Sequence, residues 1–137
     1  MLRKSILVIS DQHAPYHHID TLDFLSAIKE KYKPDCVVNI GDEMDWHSIS
    51  FHDSHPGLYS PSHELVVAKK FFTELEKLFP KQYIMDSNHG SLVFRKATKH
   101  GLPHEIFKSY NHMLGVGKGW LWHEDLVIKA SNGQKIY

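Results

Sequence analysis

Apolar residues come in three short runs, and each run closes on a polar cluster. Ile6-Leu7-Val8-Ile9 leads into Ser10-Asp11-Gln12-His13, Cys36-Val37-Val38 into Asn39-Ile40-Gly41-Asp42, and Tyr83-Ile84-Met85 into Ser87-Asn88-His89. Runs of this length read as buried strands. The expected strands are Lys4 to Ser10, Asp35 to Ile40 and Lys81 to Asp86. The first is nearly continuously apolar, which predicts cover on both faces. Between the first two, Leu22, Leu25, Ile28 and Tyr32 recur at helical spacing and predict a helix over 20–32. Asp20 is placed to cap it and Pro34 to stop it. Strand, helix, strand in that order implies parallel pairing and a right-handed crossover.

Ser60-Pro61, a cap followed by proline at the first helical position, opens a second helix that runs to Phe79. Leu65, Ala68, Phe71, Phe72, Leu75, Leu78 and Phe79 form its apolar face, and Pro80 stops it. Later signals are weaker. A short helix is expected over 92–99, ended by Gly101, and another over 103–113. Residues 114–123, rich in glycine and tryptophan, read as loop. Residues 125–130 alternate like a strand, Ser131-Asn132-Gly133-Gln134 reads as a hairpin turn, and 135–137 begin the return strand. The polar segment 42–61 spans about twenty residues, a loop length that often carries function.

Bulk properties narrow the classes. A chain of 137 residues is one domain by length. The formal charge is zero, so no overall basic field argues for nucleic acid. Twelve histidines are many for this length and point weakly to metal or proton-transfer chemistry, although most read as solvated. Cys36 is the only cysteine, which excludes an intrachain disulfide and fits a reducing, cytoplasmic setting. The apolar run after Arg3 and Lys4 reaches Asp11 too soon for a signal peptide. No stretch is long and apolar enough to span a bilayer.

The candidate chemistry lies where the strands end. Open α/β sheets bind ligands outside the carboxyl ends of their strands. Three strands ending in Asp, His and Asn offer mixed oxygen and nitrogen ligation on one edge. Gly41 permits a tight turn before Asp42. His47, His52 and His55 read first as solvated loop residues, with a place in a substrate pocket as the competing reading. Trp46 and Phe51 read as buried under the loop rather than stacked on a ligand. Arg95 and Lys96 suit phosphate contacts, or equally the solvated face of a short helix. Gly115-x-Gly117-x-Gly119 lacks the strand-to-helix setting of a phosphate loop. No Gly-x-Ser-x-Gly elbow is present, which excludes the common serine-hydrolase arrangement.

Asp11-x-His13, Gly41-Asp42-x-x-Asp45 and Asn88-His89, in that order and each closing a strand, resemble the first three motifs of the calcineurin-like metallophosphoesterases. The resemblance covers roughly residues 5–95, and 88–103 is similar to small phage-type members. It implies an α/β fold with a core of two sheet layers flanked by helices. It also implies two divalent metal ions (Mn, Fe, Zn or Mg). Carried over by motif, Asp11 and His13 would bind the first ion, Asp42 would bridge both, and Asn88 would bind the second. His89 would be the catalytic residue over the substrate phosphate, and Asp45 would orient its neighbours. The implied activity is hydrolysis of a phosphomonoester, such as a nucleotide, or of a phosphodiester, such as DNA. A hydroxide activated by two metals would attack phosphorus.

The chain departs from the family pattern in two places. Ser87 and Gly90 stand where the third motif usually has glycine and an acidic residue, which predicts a changed loop. The later histidine motifs, among them a Gly-His-x-His, are absent from 1–137. The expectation is therefore a single domain that is the front part of a longer enzyme, binding metal weakly and turning over poorly alone. An unpaired sheet edge would then invite a second copy of the chain. A nuclease of the same superfamily and a non-catalytic binding scaffold on this fold are the competing readings. Retention of Asp11, His13, Asp42, Asn88 and His89 argues against the scaffold.

Overall fold

The apolar runs form parallel strands four residues long. In the computed structural model, which describes residues 5–53 and 55–137, these are β1 (Ile6–Ile9), β2 (Cys36–Asn39) and β3 (Gln82–Met85). Lys4, where the first strand was expected to start, lies outside the described residues. The helices between them are α1 (Thr21–Tyr32) and α2 (Pro61–Leu78). After β3 come α3 (Leu92–Lys99), α4 (Tyr110–Leu114) and a fourth parallel strand, β4 (Trp120–His123). A hairpin of β5 (Ile128–Lys129) and β6 (Lys135–Ile136) forms its own small antiparallel sheet. The main sheet has the order β1-β2-β3-β4, all parallel. This is an α/β fold, a four-stranded parallel sheet with helices packed against it.

Local chemistry sets the helix ends. Ser60 Oγ accepts from the His63 amide and Pro61 opens α2, as the sequence predicts. Asp20 occupies the cap position of α1 but makes no side-chain cap bond, and the Thr21 hydroxyl instead donates to the His18 carbonyl. The helix expected over 103–113 is split into a 3-10 turn at His104–Ile106 and α4, because Ser109 caps a fresh start by accepting from His112.

Sheet order equal to chain order, with right-handed crossovers, puts the connecting helices on one side. α2 packs against both α1 and α4 on that side. Leu7, Ile9, Val37, Ile84, Trp120 and Trp122 face these helices and meet Leu25, Ala68, Phe71, Phe72, Leu75 and Phe79. The apolar stripe of α2 is thus the centre of the core. The other face carries the register row Val8, Val38, Tyr83, Leu121, in which Val8 is 55% exposed and Leu121 46%. So β1 is covered on one face only, contrary to the reading from its continuous apolar run.

β4 corrects the reading of 114–123 as loop. Gly119 makes it possible: a Cβ there would collide with the Pro80 carbonyl oxygen. The Gln82 amide donates to the Gly119 carbonyl, and Trp120 Nε1 donates to the Phe79 carbonyl at 2.9 Å. The hairpin does not extend the main sheet, so the sheet edges among the described residues are β1 and β4.

Phe72 has no exposed surface and touches Phe71 and Trp120 edge to face. Phe72→Ala should cost about 3–5 kcal/mol of stability. Urea unfolding monitored by circular dichroism measures this as a lower midpoint.

Candidate metal centre

The pairing of β1 and β2 continues past the strand ends. The amides of Asp11, His13 and Ala14 donate to the carbonyls of Gly41, Asp42 and Glu43 at 3.1, 2.9 and 2.8 Å. The Asp45 amide returns a bond to the Ala14 carbonyl at 3.0 Å. Two loops thus run side by side, and this aligns Asp11 and His13 with Asp42 and Asp45. Asp11, His13, Asp42 and Trp46 all have φ near +50°, the left-handed region that costs a non-glycine residue about 1–2 kcal/mol. Beneath the loops, buried Asn39 donates to Gln12 Oε1 at 2.7 Å and accepts from the Gly41 amide at 3.0 Å.

The third loop is locked on by Ser87. Its Oγ accepts from the Asp42 amide at 2.8 Å and from the Gly90 amide at 3.1 Å. The His89 amide then donates to Asp42 Oδ1 at 3.2 Å. Ser87 has no positive φ. The hydroxyl does the anchoring, so the serine at this position needs no left-handed backbone. Gly41 is required, because it has φ +106° and a Cβ there would land on the Ser87 side chain.

Asp11, His13 and Asp42 come together. One ligand atom from each lies within 4.8 Å of the others. His13 Nε2 is 3.8 Å from Asp11 Oδ1 and 3.9 Å from Asp42 Oδ2. Its Nδ1 is 2.8 Å from Asp45 Oδ1. An ionised carboxylate only accepts, so Nδ1 is the donor in this bond and Nε2 is the ring nitrogen turned towards the two aspartates. A histidine held this way by a carboxylate is the usual arrangement of a metal-binding imidazole. The donor set therefore fits a divalent cation held by Asp11, His13 and Asp42.

His89 joins the same cluster. Its Nδ1 is 2.5 Å from the Asp45 carbonyl, and its ring stands edge-on to that of His13 with centroids 4.7 Å apart. A carbonyl also only accepts, so Nδ1 bears the proton here as well. Asn88 lies on the same turn but is exposed, and its carbonyl accepts from Arg95 Nη1 at 2.9 Å. Its side chain makes no hydrogen bond to the cluster among the described residues. Three of the four expected ligands are therefore brought together, and the fourth sits beside them.

Other candidates fall outside the cluster. His47 is half-buried and its Nε2 accepts from the His55 amide, while His52 and His55 are exposed. Trp46 is buried, as expected, but Phe51 is 47% exposed. Arg95, Lys96 and Lys99 surround the Phe51 ring at 5.5, 4.1 and 5.1 Å from its centre. His123 lies at the end of β4, not in a loop, 5.6 Å from the ring of Tyr83.

Two buried acids were not foreseen. Glu64 on α2 is fully buried and accepts from the amides of His47 and Ser48 and from the Ser48 hydroxyl. It ties the 46–50 loop, and Asp45 before it, to the core. Glu43 is 1% exposed beneath the 87–90 turn, where a Cβ on Gly90 would press on its carboxyl oxygens. Acidic residues are ordinarily exposed, and nothing in their spacing marks these two as buried.

Burial pushes the Glu43 carboxyl up to about 7 from its ordinary 4.5, with the Asp42 and Asp86 carboxylates adding to the shift and its own backbone and Trp122 opposing it. Between those pH values the unfolded chain releases this proton and the folded chain keeps it. The contribution of Glu43 to stability therefore falls as pH rises from about 4.5 to about 7 and is level above that. In chelator, Glu43→Gln should gain stability over the parent chain progressively across this window. Urea midpoints of both chains at pH 5, 6, 7 and 8 measure the difference.

Compared with known proteins, the chain matches no family model and no curated protein.

Proposed function

We propose that this chain is a metal-dependent phosphoric ester hydrolase built on a calcineurin-like core. The observation that carries this reading is the convergence of Asp11, Asp42 and the Nε2 of His13, with Asp45 fixing the imidazole. On this reading Asp11, His13 and Asp42 would hold one divalent ion, and Asn88 with Asp42 would hold a second. Manganese, iron, zinc and magnesium are the candidate ions. When bound, such ions neutralise phosphate oxygens and lower the pKa of bound water towards neutrality.

The remaining steps belong to the chain. Asp45 holds both imidazoles, His13 through its carboxylate and His89 through its carbonyl. The second tether commits His89 Nδ1 as a donor and leaves Nε2 to face the substrate. A proton on Nε2 goes to the departing alkoxide oxygen, or hydrogen-bonds a phosphate oxygen as charge builds there. The Asp42 carboxylate is restrained through Oδ1 by the His89 amide. Movement of the 87–90 turn is therefore felt at the metal-binding carboxylate. Substrates of this chemistry are a phosphomonoester, such as a nucleotide, or a phosphodiester, such as DNA.

Titration of the chelator-treated chain with Mn²⁺ by calorimetry tests the reading. Binding is expected for the parent chain and for His89→Asn, and its loss is expected for Asp42→Asn, with circular dichroism checking that each variant is folded. Hydrolysis of p-nitrophenyl phosphate and its bis ester should require the metal, and His89→Asn should slow it by about 10²–10⁴-fold, the usual worth of a positioned acid. Absence of binding by Mn²⁺, Zn²⁺ and Mg²⁺ alike would overturn the proposal.

A further inference from the structure

A cavity of about 600 Å³ opens beside the 87–90 turn, between α3 and the end of β4. Asp86 and Ser91, which bracket that turn, line it, and so does Arg95, whose guanidinium holds the Asn88 carbonyl. The cavity and the candidate metal centre therefore share one loop. The Asp86 amide donates to the His123 carbonyl at 2.8 Å, which fixes the β4 side of the opening.

The walls are aromatic. Phe94 and His104 stack with centroids 5.1 Å apart and planes at 29°. Tyr110 and Trp122 stack at 5.2 Å and 9°. Phe94 meets Tyr110 edge to face at 4.9 Å, which joins the two stacks. Phe94 and Tyr110 do not belong to the main core, which is complete without them. They are half-buried, so part of their surface borders the cavity. The polar groups are arranged unevenly. Carboxylates of Asp86 and Glu124 supply acceptors, while Arg95 supplies the positive charge on the side of the turn. Burial pushes the Tyr110 phenol up, with the Asp86 and Glu43 carboxylates adding to the shift.

We propose that this cavity is a nucleobase pocket and that the substrate of the adjacent centre is a nucleotide, with its base against the aromatic wall to which Phe94, Tyr110 and Trp122 contribute and its phosphate directed towards the Asp11–His13–Asp42 edge. The proposal rests on the phosphoester reading above. Carboxylates in the wall repel phosphate, so the phosphate end of a ligand cannot occupy this cavity. They accept from exocyclic amino groups, which adenine, guanine and cytosine carry. Flat heterocycles stack on aromatic side chains irrespective of their identity. The volume lies within the ordinary range for a small-molecule site.

The test uses the full chain in chelator, so that the metal centre takes no part. Adenosine and cytidine are titrated while tryptophan fluorescence and the NMR shifts of the aromatic side chains are followed, with ribose 5-phosphate as the probe lacking a base. The expected result is saturable binding of both nucleosides and none of ribose 5-phosphate. Thr98 is exposed and lines the cavity, so Thr98→Trp fills it without entering the core. Thr98→Trp and Phe94→Ala should each weaken nucleoside binding by about tenfold or more, the usual loss of a base–aromatic stack. Failure of both nucleosides to bind, or equal binding by parent and Thr98→Trp, overturns the pocket. If Mn²⁺ still binds in that case, the metal centre stands without it. Nucleoside binding by a chain that takes up no metal supports the pocket and overturns the phosphoester reading.

Discussion

The hydrogen bonds between β1 and β2 do not stop where the strands stop. They run on through residues 11–14 and 41–45, and the candidate site takes its position from that continued pairing. Side chains on two separate loops are held in register by backbone, and the bond between His13 and Asp45 adds to it. Ser87 then fastens the third loop to the second through a single hydroxyl. Carboxylates that would repel one another in isolation are kept together because the backbone leaves them no alternative. The energy for this comes from the core, where α2 buries Phe71, Phe72 and Leu75 against the sheet and Ala14, Met44 and Trp46 of the loops join the same cluster.

Much of this was legible in the residues. The apolar runs, Pro34, the Ser60-Pro61 pair and the spacing along α2 specify the β1-α1-β2-α2-β3 order with boundaries close to those found. Asp11, His13, Asp42, Asp45 and His89 stood out because each follows a strand, and topology brings strand ends to one edge. The fourth strand was not legible. Trp120 and Trp122 face the helices and Leu121 faces away, but four residues of alternation behind three glycines look like loop until β3 is there to pair with. Cover on both faces of β1 was misread for a related reason. A continuous apolar run records local composition, whereas sheet order decides which side the helices occupy.

Glu43 and Glu64 show a different limit. Their composition says surface and their tertiary surroundings say otherwise. Glu64 satisfies two backbone amides and a hydroxyl at the start of the 3-10 turn His47–Ile49, a service no spacing rule foretells. The aromatic cavity is equally invisible in the chain. Phe94, His104, Tyr110 and Trp122 come from four elements, and only the turn at Ser109 and the β4 pairing bring them side by side.

The left-handed backbone at Asp11, His13, Asp42 and Trp46 has one more consequence. Each of these residues is held in a conformation it would abandon if released, so the edge is under tension that the sheet and α2 must contain. That strain lowers the cost of a local opening there. A ligand gripping that edge therefore acts as a latch: by fastening a strained part of the chain, it raises the threshold for any larger opening that starts from it.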